Sequence, residues 1–184
     1  MESGGQIRDI RDEELELILS WRNAPNVRKN MYTQHEISLD EHLAWWQRVR
    51  EERKNQKYLM YEKSGRPLGV VSFNDIDVQN ERAMWAFYAA PEAPRGTGLA
   101  MEFLALDYAF REIGLHKLSC EVLAFNTPVI KLHKRFGFSV EGIFRAHHKI
   151  GGEFVDVYRL GMLAGEWKTA RPDLEEKLAK MNKG

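Results

Sequence analysis

The spacing of apolar residues along this chain changes period several times, and each change marks an element. After a short strand over Ile7 to Ile10, Leu15, Leu17, Ile18, Leu19 and Trp21 recur at helical spacing and supply the apolar side of a first helix. Asn23-Ala24-Pro25-Asn26 ends it, because proline lacks the N–H that a helix interior requires. Ser38-Leu39-Asp40-Glu41 opens a second helix as a capping box, and His42, Leu43, Trp45, Trp46 and Val49 follow along it. The period then shortens to that of strands. Tyr58 to Glu62 and Leu68 to Ile76 are joined by the turn Ser64-Gly65-Arg66-Pro67, and Met84 to Ala90 completes an antiparallel meander. Pro91 and Pro94 stop the third strand before a helix lined by Ala100, Phe103, Leu104, Leu106, Tyr108, Ala109 and Phe110. Lys117 to Leu123 reads as a strand, Pro128 to Arg135 as a helix, and Phe138 to Ile150 with Phe154 to Leu163 as a hairpin around Gly151-Gly152. Past Gly165, Leu174, Leu178 and Met181 share one side of a charged helix that packs weakly or frays.

Composition narrows what such a chain does. Its 184 residues fit one domain, large enough to bury roughly 70% of the unfolded surface. Lysine and arginine together number 27, as do aspartate and glutamate, so bulk charge gives no reason to expect nucleic acid or an anionic membrane as partner. No apolar run reaches the roughly 20 residues of a membrane span, and Met1 to Gly5 lacks the basic and apolar regions of a secretion signal, so a cytoplasmic protein is expected. Cys120 is the one cysteine, flanked by Leu118 and Val122 as in a buried strand. The six histidines are scattered and His147-His148 point to opposite faces, so no metal site is expected.

Chemistry enters with the hexapeptide Arg95-Gly96-Thr97-Gly98-Leu99-Ala100, between an apolar strand and an amphipathic helix. Its glycines let the backbone come close to a ligand, and the positive end of the following helix attracts a pyrophosphate. A plain strand-to-helix turn has the same look. Downstream, Asn126, Ile130, Leu132, Gly137 and Phe138 stand in a second pattern. The two together resemble the GNAT N-acetyltransferase superfamily, with Arg-x-x-Gly-x-Ala for its Gln/Arg-x-x-Gly-x-Gly/Ala and the second run for its Asn-x-x-Ala-x-x-x-Tyr-x-x-x-Gly-Phe. The element order βααβββαβαββ agrees over almost the whole chain.

That resemblance implies an α/β (α+β) fold: one GNAT domain over residues 1–165, with a mixed, mostly antiparallel sheet flanked by helices, and a charged helical tail over 166–184. It implies an enzyme using acetyl-CoA as acetyl donor and no metal. Arg95, Gly96, Thr97, Gly98, Leu99 and Ala100 would hold the pyrophosphate, the backbone of Phe87, Tyr88 and Ala89 the pantetheine arm and acetyl carbonyl, and Asn126 the same arm where the sheet opens. The family's usual acid, a tyrosine, is replaced here by His133, whose ordinary pKa of about 6.5 suits a proton donor to the departing thiolate. Glu121, on the strand face shared by Ser119 and Leu123, is the candidate base, with an ion-paired surface carboxylate as the alternative.

Within the superfamily, Trp21-Arg22-Asn23, Val27-Arg28, Met31, Ile37-Ser38, Glu41-His42 and Trp45-Trp46, then Leu68 to Phe73 and Asp156-Val157, resemble the pseudaminic-acid-pathway enzymes. Those acetylate the 4-amino group of a UDP-linked 4-amino-4,6-dideoxy sugar. The resemblance puts Arg28 and Lys29 at the diphosphate, His42 at a phosphate or ribose oxygen and Tyr88 at the sugar. Two other readings stay open, an N-terminal acetyltransferase of a ribosomal or other protein and an acyl-CoA-binding module without turnover. A homo-oligomer is also left open.

Overall fold

The protein was analysed as a computed structural model that describes residues 5–181. The start of the leader reading, at residues 1–4, and the end of the tail, at 182–184 with the Met181 side chain, lie outside the described residues. The elements are β1 (Gln6–Asp9), a 3-10 turn (Asp12–Glu14), α1 (Leu15–Asn23), α2 (Pro25–Arg28), α3 (Leu39–Glu51), β2 (Lys57–Lys63), β3 (Arg66–Asp77) and β4 (Arg82–Ala89). They continue as α4 (Thr97–Asp107), a π-helical turn (Tyr108–Ile113), β5 (Lys117–Leu123), α5 (Thr127–Phe136), β6 (Ser139–Ile150), β7 (Glu153–Leu163) and α6 (Ala164–Met181). One seven-stranded sheet in the order β1-β2-β3-β4-β5-β7-β6 runs through the molecule. Every pairing is antiparallel except that of β4 with β5.

Alternation along the strands gives the sheet two apolar faces. Val70 packs with Ile18, Trp21, Trp46 and Val49 under α1 and α3, whereas its neighbour Val71 packs with Phe73, Trp85, Met101, Leu106 and Leu118 under α4. Each such aliphatic or aromatic side chain, fully buried, contributes about 1.5–3 kcal/mol.

Turn chemistry departs from expectation at one hairpin. Ser64 and Gly65 alone make the β2–β3 turn, with φ of 52° and 75°, as a type I′ turn requires, while Arg66 and Pro67 already belong to β3. Pro67 is tolerated because the register shifts between Tyr61 and Glu62 beside it. The β6–β7 turn at Gly151 and Gly152, φ 57° and 93°, is of the expected kind. At α3, Ser38 Oγ accepts from the Glu41 N–H at 3.2 Å, but the return half of the capping box is missing because the Glu41 carboxylate pairs with His35 Nε2 at 3.0 Å.

The tail is packed rather than frayed. Trp167, 2% exposed, sets its ring 5.3 Å from that of Phe103 and donates from Nε1 to Asp107 Oδ1 at 3.1 Å. Arg171 bonds the same carboxylate through Nε at 2.7 Å, and Leu174 is buried beyond it.

Candidate active site

The site is made by a failure of pairing. β4 and β5 are joined only at Arg82 with Lys117, Ala83 with Leu118 and Met84 with Ser119, although they run on to Ala89 and Leu123. β5 stays with β7 over its whole length, so the sheet splits between β4 and β5. The split opens a cleft of about 440 Å³ walled by Phe87, Tyr88 and Ala89 of β4, Cys120 and Glu121 of β5, Gly98 of α4, Asn126 and His133 at α5, and Asn26 and Asn30 around α2. Another depression, of about 470 Å³ and lined by Glu16, Leu19, Ser20 and Asn23, shares none of these residues.

Backbone phase on β4 sets the division of labour in the cleft. Ala86 C=O accepts from Ser72 Oγ, and the Ala90 N–H donates to Leu68 C=O at 2.8 Å, so residues 86, 88 and 90 turn their backbone toward β3. Phe87 and Ala89 therefore direct theirs into the opening, where no strand meets them. The Tyr88 backbone is thus withdrawn from the role expected of it. Its side chain packs on the α1 and α3 face, while those of Phe87 and Ala89 pack on the α4 and α5 face. Burial raises the Tyr88 phenol above its ordinary range, against the nearby Arg22 cation.

The glycine loop leaves free backbone donors at the start of α4, though not at all six residues. Gly96 is the N-cap of α4, with φ 90°, a left-handed conformation that suits glycine. The N–H of Thr97 is taken by Pro94 C=O at 3.1 Å and that of Ala100 by Gly96 C=O at 3.2 Å. The Thr97 hydroxyl folds back on Pro94 C=O at 2.7 Å. Gly98 and Leu99 hold the first-turn N–H groups that helix geometry leaves without an intrahelical acceptor. The side chains of Leu99 and Ala100 pack on the core, and Arg95 is exposed. These donors, the helix dipole and the open edge of β4 fit a pyrophosphate joined to an extended arm. Asn126 precedes α5 without capping it, so its amide remains available to the cleft.

His133 lines the cleft at 3% exposure, enclosed by the rings of Trp85, Phe87 and Phe138. Its Nδ1 lies 2.8 Å from Glu102 Oε1, and Glu102, on α4, is fully buried. Burial alone would lower the pKa of the imidazole, but the contacts with Cys120 and Glu102 outweigh it and push the value up to about 10. Burial raises Glu102 as well, against the pull of His133. Both shifts keep a proton within the pair.

Glu121 is ion-paired, the alternative weighed from sequence. Its Oε1 meets Arg159 Nη1 at 2.9 Å and its Oε2 accepts from Tyr32 Oη at 2.8 Å. Tyr32 stacks on His148, ring centroids 4.4 Å apart, and ties the segment after α2 to β6. Arg28 sits near Glu36 at 3.9 Å and Lys29 is exposed; neither lines the cleft. His42 is corrected more fully. It is 4% exposed, stacked on Trp45 at 5.0 Å and absent from the cleft lining, and burial lowers its pKa, so the structure places it in the core. Sequence reasoning passed over Arg22, although it stands in the Trp21-Arg22-Asn23 string: its Nη1 is buried without a partner and its charge reaches Tyr88 and Arg28.

Residues 7–158 match the acetyltransferase (GNAT) domain family, and the chain belongs to that family. It is an acetyl-CoA-dependent N-acetyltransferase. The acetyltransferase PseH of Campylobacter jejuni is 25% identical over 132 residues, 72% of this chain and 81% of the relative. The spermidine N(1)-acetyltransferase of Vibrio cholerae is 24% identical over 169 residues, 91% of this chain and 97% of that protein. The crystal structure of a Vibrio cholerae spermidine N-acetyltransferase with CoA and spermine superposes with a TM-score of 0.83 at 23% identity, covering 90% of this chain and 98% of the other.

Proposed function

We infer that the enzyme acetylates the amine of an anionic acceptor, the 4-amino group of a UDP-linked 4-amino-4,6-dideoxy sugar. The observation that carries this is the buried cation of Arg22 beside the cleft residue Tyr88. Arg22 keeps a buried, unpartnered Nη1 beside Tyr88, which lines the cleft, with Arg28 close by. An unsatisfied buried guanidinium N–H costs about 1–3 kcal/mol, and a diphosphate oxygen answers it with a charge-assisted bond. A polyamine would call for free carboxylates. The cleft carboxylate, Glu121, is already neutralised by Arg159. Similarity to PseH supports the reading, while similarity to the spermidine enzymes makes polyamines the comparison to run.

In this reading the Phe87 and Ala89 backbone groups hold the donor's arm and polarise its carbonyl, while the N–H groups of Gly98 and Leu99 receive the pyrophosphate. Tyr88 orients the sugar from the opposite face. Glu121 still has lone pairs free on each oxygen, so it takes the amine proton through water. The C–N bond forms as the C–S bond breaks, and His133 donates a proton to the departing sulfur, a contribution of about 10²–10⁴-fold.

Thiol release from acetyl-CoA, measured with the UDP-amino sugar, spermidine and an N-terminal peptide, tests the acceptor. Turnover with the sugar is expected to exceed the others, and Arg22→Met is expected to raise KM for the sugar about tenfold or more with KM for acetyl-CoA unchanged. Turnover with spermidine and none with the sugar overturns the assignment.

A further inference from the structure

We propose that Glu102, buried beneath the cleft at hydrogen-bond distance from His133 Nδ1, is a positioning residue that keeps the His133 ring oriented and protonated for proton delivery to the leaving thiolate. This rests on the reading of His133 as the acid and adds the group that makes it one.

The geometry is that of a two-residue relay. Glu102 projects from α4 with no exposed surface, and its Oε1 is 2.8 Å from Nδ1. Its Oε2 is buried with no partner, so the imidazole is the one group that compensates the carboxyl. A buried carboxyl with an unmatched oxygen is costly to a fold, and Ile or Leu would fill the same apolar stripe without that cost. The elements packed on His133 present few other ionisable groups. β4 offers Trp85 and Phe87, the residue after α5 offers Phe138, and β5 offers Cys120. Among the described residues around the ring, Glu102 and Cys120 are the titratable ones.

Fixing Nδ1 leaves Nε2 as the nitrogen from which a proton can leave. As the C–S bond of the donor breaks, the Nε2–H proton passes to sulfur and His133 becomes neutral, with its Nδ1–H still on Glu102. The pair is recharged by the proton released from the acceptor nitrogen, so protons balance over a turnover. The acidity also fits. The contacts with Cys120 and Glu102 hold the imidazole well above its ordinary value, so it keeps its proton at neutral pH.

The test is a pH titration of the His133 ring by nitrogen-15 NMR in the wild-type protein with CoA bound, beside Glu102→Gln and Glu102→Asp. The wild-type ring is expected to stay protonated through about pH 8, well above the ordinary histidine value. In Glu102→Gln, with the Cys120 contact still in place, the midpoint should fall by about one pH unit or more. The alkaline limb of the single-turnover rate should fall with it, while KM for acetyl-CoA stays within about twofold. Glu102→Asp should recover part of both. A wild-type ring already neutral at about pH 8, or a folded Glu102→Gln protein with the wild-type titration and alkaline limb, overturns the proposal. The wild-type titration needs no variant and no acceptor, so it decides even where Glu102→Gln does not fold. A wrong acceptor shows instead as absent sugar turnover with the titration intact.

Discussion

A Cβ on Gly98 would lie 3.6 Å from Phe87 Cε2 and 3.7 Å from Leu132 Cδ2, both ordinary contact distances. The fold itself therefore does not need glycine there, and alanine in the first turn of α4 should stabilise the helix by about 0.5–1 kcal/mol. What the methyl group would obstruct is the approach of a ligand to the N–H groups of Gly98 and Leu99. Gly98→Ala is expected to keep or raise Tm while weakening acetyl-CoA binding by at least about tenfold in calorimetry, and an unchanged Kd would remove the loop from the site. A second residue-scale expectation concerns Arg8, held between Glu14 at 2.6 Å and Glu62 at 2.7 Å. The hydrogen bond from Arg8 holds the Glu14 carboxyl below the usual range, against burial. A depressed carboxylate contributes stability above its unfolded pKa, near about 4.3, and that contribution is lost as pH falls through the lower folded value. Urea titrations from neutral pH into this acid range should show a steeper stability loss for wild type than for Glu14→Gln. Single residues were unevenly legible. His133 announced itself by its place seven residues after Asn126, whereas Glu102 hides in an apolar helix where a lone glutamate reads as solvated. His42 misled because a histidine beside Trp45 carries no sequence sign of its burial.

At the scale of elements, α6 works as a brace for α4, which carries Glu102 and begins at the glycine loop. Trp167 packs on Phe103 and both Trp167 and Arg171 bond Asp107. Trp167→Ala should cost about 3–5 kcal/mol by chemical denaturation, within the range for removing a buried large aromatic. A loss below about 1 kcal/mol would return α6 to the weakly packed or frayed tail that its sequence suggested. Charge-rich composition concealed the packing of this helix, though not the helix itself, because its anchor is a single tryptophan next to the expected boundary at Gly165. Strands were easier: β5 matches the sequence reading at Lys117 and Leu123, and the other strands differ by a few residues at their ends. Their period of two survives tertiary packing because each face has its own apolar layer. The π-helical turn at Tyr108–Ile113 leaves no comparable trace, since its residues fit an α-helix as well.

For the whole molecule, the split between β4 and β5 opens a cleft between two apolar layers, one under α4 and α5 and one under α1 and α3. The split itself depends on β4 losing β5 after Met84 while β5 stays with β7, long-range pairings that no local pattern encodes. A chain with zero formal net charge nevertheless brings Arg22 and Arg28 together near Tyr88. That asymmetry can be read without any chemistry taking place. A ligand that binds only the folded state stabilises it by about 2.7 kcal/mol at a hundred times its Kd, which in a chain of this size raises Tm by about 5–11 °C. CoA should give such a shift in wild type and a much smaller one in Gly98→Ala at the same concentration. UDP added on top of CoA should raise Tm further, lose that increment in Arg22→Met, and lose much of it as salt rises and screens the diphosphate. Spermine added in place of UDP should add nothing. A spermine increment that persists in Arg22→Met, with none from UDP, would show that the acceptor side was built for a cation after all, and that its arginines serve the fold.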